Sequence, residues 1–391
     1  MTFDPTDAVQ FTQALIRCES VTPHEGGALT LIQNVLEPAG FQCHRLVFTE
    51  PGTPDVDNLY ARLGQGRPHL SFAGHTDVVP AGDEKAWTLP PFAGEIRDGI
   101  LYGRGAVDMK GCLAAFAAAA MRYLHRHGGS LPRGSLSFLI TGDEEGPSIN
   151  GTAKILSWLK DRDETIDACL VGEPSNPKAL GDEIKIGRRG SLNAEIIVKG
   201  KQGHAAYPQL ADNPVPKLAR IIDRLASHKL DDGTGNFEPS NLQVTVISVP
   251  NTASNVIPAF ATAKFNVRYN DAWTRQKMET WIRQTVIAAA AEAGARFDIS
   301  FASTGDVFLT KPGTLVETLK TAVKSVTGRA PALTTGGGTS DARFIKDHCP
   351  VVEFGLVNAT IHQVDEQTSV KDLEDLTEIY DRFISNFFAS A

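Results

Sequence analysis

Apolar residues recur at helical spacing near the start of the chain. Residues 4–17 offer Val9, Phe11, Leu15 and Ile16 to a core, with Asp7 in the opening turn. A second helix is expected over 28–39, closed by Gly40. Three short apolar runs, 69–73 (HLSFA), 136–140 (LSFLI) and 168–171 (ACLV), are bounded by Gly, Asp or Glu, as in the buried strands of an α/β sheet. Between the first two lies an alanine-rich segment, 111–127, ending at Gly128-Gly129. Its small side chains suit a buried helix packed closely on a sheet.

The pattern changes after Pro177. Strands are expected over 194–198, 243–249 and 263–269, with helices over 214–225 and 274–293, an α+β arrangement whose runs pair locally. Beyond Phe301 the α/β character returns: a helix at 315–326, a strand at 351–354 and a last helix at 373–388. The expected fold is therefore an α/β catalytic domain with a central mixed sheet flanked by helices (1–181 and 305–391), interrupted by an inserted α+β domain (182–304).

Composition narrows the class. With 391 residues, 42% hydrophobic and 21% charged, the chain has globular proportions and room for two domains. Its net charge is -8, with Lys and Arg scattered, which argues against nucleic acid or an anionic membrane as partner. No run reaches the ~18 apolar residues of a membrane span. The five cysteines are odd in number and form no CxxC pair, and MTFDPTDAVQ does not read as a signal peptide, so a reducing, cytoplasmic setting is expected.

Each early apolar run ends in groups able to bind metal: Gly74-His75-Thr76-Asp77, Thr141-Gly142-Asp143-Glu144-Glu145 and Gly172-Glu173-Pro174. Sites in open α/β sheets form beyond the carboxyl ends of the strands, so three strands would deliver these groups to one edge. His75 and Asp77, two apart, share a face of an extended backbone, and the Asp77 carboxylate could fix the tautomer of a metal-bound imidazole. Asp108, within GRGAVDMKG, precedes the alanine-rich helix, and His362 lies in a loop after the strand at 351–354. Taken singly, these motifs have plainer readings: a strand end with a turn, a solvated glutamate pair, a helix cap, a surface histidine. Spacing does not say which of Glu144 and Glu145 would be ligand and which base.

Together, GHTDVVP (74–80), GRGAVDMKG (103–111), TGDEEG (141–146), GEPS (172–175) and the loop around His362 resemble the M20 family of dinuclear metallopeptidases and deacylases. Asp108 then resembles the carboxylate bridging two metals, His75 and Glu173 complete one site, and Glu145 and His362 the other. Asp77 orients His75, Glu144 is the general base, and the Asp108-Met109 peptide is cis. Two divalent ions are implied. Zn²⁺ suits two imidazoles and three carboxylates best, and Co²⁺ or Mn²⁺ accept the same donors.

The likeness also implies a homodimer. The inserted domain would be both lid and dimerisation domain, with His204 of GHAAYP serving the neighbouring subunit's oxyanion. The segments IKIGRRGSL (184–192), SNVIP (254–258) and GGGTSDARF (336–344) point to a deacylase of a small, carboxylate-rich amino-acid derivative. Arg188 and Arg268 are its candidate carboxylate clamps, with Ser191, Tyr207, Asn255 and Thr339 as polar contacts.

Overall fold

Eight strands build one mixed sheet: β1 (Gln42–Phe48), β2 (Val56–Gly64), β3 (His69–His75), β4 (Ser135–Thr141), β5 (Ala168–Val171), β6 (Glu183–Lys185), β7 (Ala332–Thr334) and β8 (Val351–Glu353). The computed structural model that shows them describes residues 3–390. Their order is β1-β2-β4-β3-β5-β8-β6-β7. The central strands β4, β3, β5 and β8 run parallel, whereas β1, β2 and β4 pair antiparallel. Every residue of β3, β4 and β5 is buried, which is why their sequences read as unbroken apolar runs rather than alternating ones.

The alanine-rich segment is the helix Lys110–Arg126, fully buried from Leu113 through Ala120. Its Phe116 stacks on Phe72 of β3 with ring centroids 4.3 Å apart, and Tyr380 of the last helix, Val370–Ser390, closes on Phe116 at 5.4 Å. Near the start of the chain the helix is shorter than its pattern, Ala8–Ile16. Asp7 stands outside it as N-cap, accepting from the N–H groups of Val9 and Gln10, a bond pattern worth about 1 kcal/mol. Ala8 and Thr12 take the inward places expected of Val9, which is only half-buried.

Two compact units result. The first runs to Ile186, resumes over Thr310–Thr334 and again from Ser340, and holds the eight-stranded sheet. The second comprises Gly187–Leu309 and Thr335–Thr339. Its sheet is antiparallel, ordered Asn241–Ser248, Phe260–Tyr269, Gly190–Lys199, Arg296–Gly305. Leu192, Ala194, Ile196 and Val198 alternate inward, as do Ala261, Ala263, Phe265 and Val267, forming one core with the helices Pro214–Ala226 and Arg275–Ala293.

The breaks fall five residues later than the pattern suggested, at 187 and 310. β6 stays with the large sheet through β7 and β8, while Phe308–Leu309 pairs with Gly187–Arg188. Thr335–Thr339, expected in the catalytic part, belongs to the second unit: the Arg188 guanidinium donates to the Gly336 carbonyl at 2.7 Å and Arg268 to Thr339 Oγ1 at 3.0 Å. Among the described residues, no helix is long and apolar enough to cross a membrane.

One buried histidine gives the first unit a pH-dependent stability. His69 donates from Nδ1 to the Thr165 carbonyl at 2.8 Å, and its Nε2 lies 2.8 Å from Ser137 Oγ. Burial, with a smaller contribution from Arg62, holds its pKa down at about 4. The unfolded chain therefore takes up this proton first, near pH 6.5, and folding stability falls as pH drops from about 6.5 to about 4. The full loss across that window is about 3 kcal/mol. Urea unfolding at a series of pH values should show this slope in the native protein and a flatter one in His69→Gln; equal slopes would contradict the assignment.

Candidate active site

Because β3, β4 and β5 are parallel and in register, with His75 opposite Thr141 and Ala73 opposite Val171, their carboxyl ends lie side by side. His75 ends β3, Glu144 and Glu145 follow β4, and Glu173 follows β5. Glycine leaves room at two of these ends. A Cβ at Gly74 would lie 2.5 Å from Met109 Cε, and one at Gly172 would lie 2.7 Å from it and 2.5 Å from Phe72 Cζ, so the bare backbone leaves space for the Met109 side chain. That peptide bond is cis.

Asp108 stands between two imidazoles. Its Oδ1 is 3.2 Å from His75 Nε2 and its Oδ2 is 3.3 Å from His362 Nε2. Glu173 Oε1 lies 3.9 Å from His75 Nε2, and Glu145 Oε1 lies 2.7 Å from His362 Nε2. Two groups of donor atoms able to hold a metal ion thus share Asp108: His75, Asp108 and Glu173, and Asp108, Glu145 and His362, each spanning no more than 4.8 Å. A third such group joins His75 to Glu144 and Glu145.

Asp77 acts on His75 differently from the expectation. His75 Nδ1 donates to the Asp77 carbonyl at 2.8 Å, while the carboxylate stands off at 3.6 Å. That carboxylate instead accepts from the backbone N–H groups of Glu144, at 3.3 Å, and Glu145, at 3.0 Å. These loop donors have no ladder partner, so they claim the carboxylate, and the carbonyl is left to fix the imidazole's tautomer. His75 thereby presents Nε2 to the Asp108 side.

The electrostatics suit cations. Burial raises Glu173 and Glu144 well above the ordinary carboxylate range, and neighbouring carboxylates push them further. Burial likewise lifts Asp77 to about 6. Asp108 goes the other way: burial would raise it, but hydrogen bonds from His362 and His75 hold it below the usual range. His362 is raised to about 10 by its bonds to Asp108 and Glu145. Four carboxylates, Asp108, Glu144, Glu145 and Glu173, around two imidazoles and without thiolate form a nitrogen–oxygen donor set that divalent ions fit.

The family model for peptidase family M20/M25/M40 matches residues 71–386. The chain is a member of that family. Among relatives, it is 58% identical over 385 residues to the succinyl-diaminopimelate desuccinylase of Rhodospirillum centenum (strain ATCC 51521 / SW), covering 98% of each chain. It is 55% identical over 384 residues to the protein of that name from Bradyrhizobium sp. (strain ORS 278), covering 98% of this chain and all of that one. Among solved structures, the YXEP protein of Bacillus subtilis, titled a dinuclear metal-binding peptidase from the M20 family, superposes with a TM-score of 0.72 at 17% identity, covering 98% of each chain. The expected α/β metallopeptidase architecture is thus borne out.

In this M20 chain, His75, Asp77, Asp108, Glu144, Glu145, Glu173 and His362 come together on the first unit. The remaining candidates lie on the second, in two clusters. His204 is exposed on the short strand Gly203–His204, its Nδ1 accepting from the Ala206 N–H at 3.0 Å and its ring 5.6 Å from that of Tyr207. The Asn255 carbonyl accepts from the Ala205 N–H beside it. Arg268 lies opposite Ser191 in the sheet and bonds Thr339. Burial, with Arg189 and Arg188 nearby, lowers the Arg268 pKa, so this corner concentrates positive charge. Arg189, next to Arg188, is paired with Glu238 at 3.2 Å.

Since Asp108 belongs to both donor groups, its loss should be felt at both. Metal analysis after dialysis against Zn²⁺ should give two equivalents for the native chain, about one for His362→Ala and close to none for Asp108→Ala. Equal Zn²⁺ content in the two variants would contradict the shared-ligand geometry.

Proposed function

We propose that this M20 chain is a succinyl-diaminopimelate desuccinylase. It hydrolyses the amide of N-succinyl-L,L-2,6-diaminopimelate to succinate and L,L-2,6-diaminopimelate, a step of diaminopimelate and lysine biosynthesis. The observation that carries this reading is the 55–58% identity, over nearly the whole of both chains, to proteins of that name. The substrate bears three carboxylates, and Arg188 and Arg268 supply the chemistry that would recognise one of them.

Asp108 would bridge two divalent ions, with His75 and Glu173 on one and Glu145 and His362 on the other; Zn²⁺ is favoured, and Co²⁺ is an accepted substitute. When bound, such a pair lowers the pKa of water and polarises the scissile carbonyl. Glu144, poised by backbone bonds from its loop to Asp77, takes the proton from the attacking water oxygen. As the C–N bond breaks, the same carboxyl returns that proton to the leaving amine. The amine departs neutral, and succinate keeps the new C–O bond.

The working form is a homodimer in this reading, with His204 of the partner subunit donating to the developing oxyanion. Its exposed ring suits that task, and the edge strand Asn241–Ser248 suits a subunit contact, carrying Val246 and Ile247 outward, 45% and 62% exposed, with no further strand of its sheet paired beyond it among the described residues. Five cysteines without a disulfide suit a reducing compartment such as the cytoplasm.

Two measurements on Zn²⁺-reconstituted protein test this function. First, kcat/KM for N-succinyl-L,L-diaminopimelate should exceed that for N-acetylornithine by at least ~100-fold; a preference for the latter would overturn the substrate assignment. Second, Glu144→Gln should lower kcat by roughly 10²–10⁴-fold with near-native metal content. Loss of metal instead would exchange the roles of Glu144 and Glu145.

A further inference from the structure

Glu366 follows His362 by four residues and has no exposure to solvent. Its carboxylate is filled from one short segment. Oε2 accepts from Arg104 Nη1 at 2.7 Å and from the Gly105 N–H at 3.0 Å. Oε1 accepts from the Val107 N–H at 2.9 Å and the Asp108 N–H at 3.0 Å. The Glu366 carbonyl also accepts from the Gly103 N–H at 2.9 Å. Every donor thus comes from residues 103–108, the loop that ends on Asp108.

The surroundings make this clamp stiff. Arg104 also donates to the Pro80 carbonyl at 3.3 Å and lies 5.3 Å from the centre of the Trp87 ring. Asp365, next to Glu366, accepts from the Thr88 N–H at 2.6 Å and from Thr88 Oγ1 at 2.7 Å. The loop between His362 and Glu366 is therefore fixed at its far end, although His362 and Asp365 both adopt left-handed backbone, with φ of 59° and 60°. One buried carboxylate fastens the segment carrying His362 to the segment carrying Asp108.

We infer that Glu366 is a positioning residue for the metal centre: by binding the N–H groups of Gly105, Val107 and Asp108, it holds Asp108 where one oxygen faces His75 and the other His362. The inference rests on the metal-centre reading above. Gln at 366 would keep the shape but replace one oxygen by an NH₂ group, turning donor against donor at two of the four bonds. Arg104→Lys would leave all three backbone bonds in place.

Zn²⁺ affinity, read by competition with a chromophoric chelator on the full chain, decides the matter without any turnover. Glu366→Gln should weaken both Zn²⁺ sites by about 10–100-fold, since Asp108 serves both. Arg104→Lys should keep both affinities within about threefold of native, even where its melting temperature falls. Native affinity in Glu366→Gln would overturn the inference, as would an equal loss in Arg104→Lys, which would mark general disruption of a buried pair. Should Glu366→Gln not fold, Glu366→Asp, which draws the carboxylate back by one methylene, is expected to show the same loss and replaces it. Absence of Zn²⁺ binding by the native chain would instead sink the metal-centre reading, and this inference with it.

Discussion

Asp108 offers one carboxylate oxygen to each of two imidazoles, and the rest of the first unit is arranged around that contact. A buried anion among other carboxylates is unfavourable unless its partners are fixed in place. The fold fixes them with backbone more than with side-chain packing. Glycines at 74 and 172 admit Met109 between the strand ends. The Asp77 carboxylate ties down the N–H groups of Glu144 and Glu145. Glu366 ties down those of Gly105, Val107 and Asp108. Acidic side chains are thus used twice, some in the groups able to hold a metal ion and others holding the loops that carry them.

The parallel part of the sheet was legible in the chain because strands covered on both faces are apolar without interruption. The ends of β3, β4 and β5 therefore stood out, and with them His75, Glu144, Glu145 and Glu173. β1 and β2 were not recognised: QCHRLVF and VDNLYARLG mix polar and apolar residues, as outer antiparallel strands do. β6 and β7, three residues each, are too short to show a period, and this displaced the expected boundary of the second unit. Asp108 and His362 looked ordinary one at a time. Only their order with the strand-end motifs pointed to a shared centre.

What the chain hid is chiefly direction. The HxD spacing fixed which residue steadies His75 but not which of its oxygens does so, because the demand of the Glu144–Glu145 loop for an acceptor is invisible in one dimension. Glu366 is a further case. Its partner N–H on Asp108 is 258 residues away in sequence, and a loop glutamate gives no sign of being fully buried. On the second unit, the contact of Arg268 with Thr339 likewise joins residues far apart in the chain, so an arginine on a strand could be singled out only by likeness to the family.

The central claim is that one carboxylate is shared by two cations. Anomalous diffraction from crystals of the Zn²⁺-loaded protein tests it most directly. Two zinc peaks are expected about 3.5–4 Å apart, each bound to a different oxygen of Asp108. A single peak, or two peaks of which only one contacts Asp108, would contradict the account.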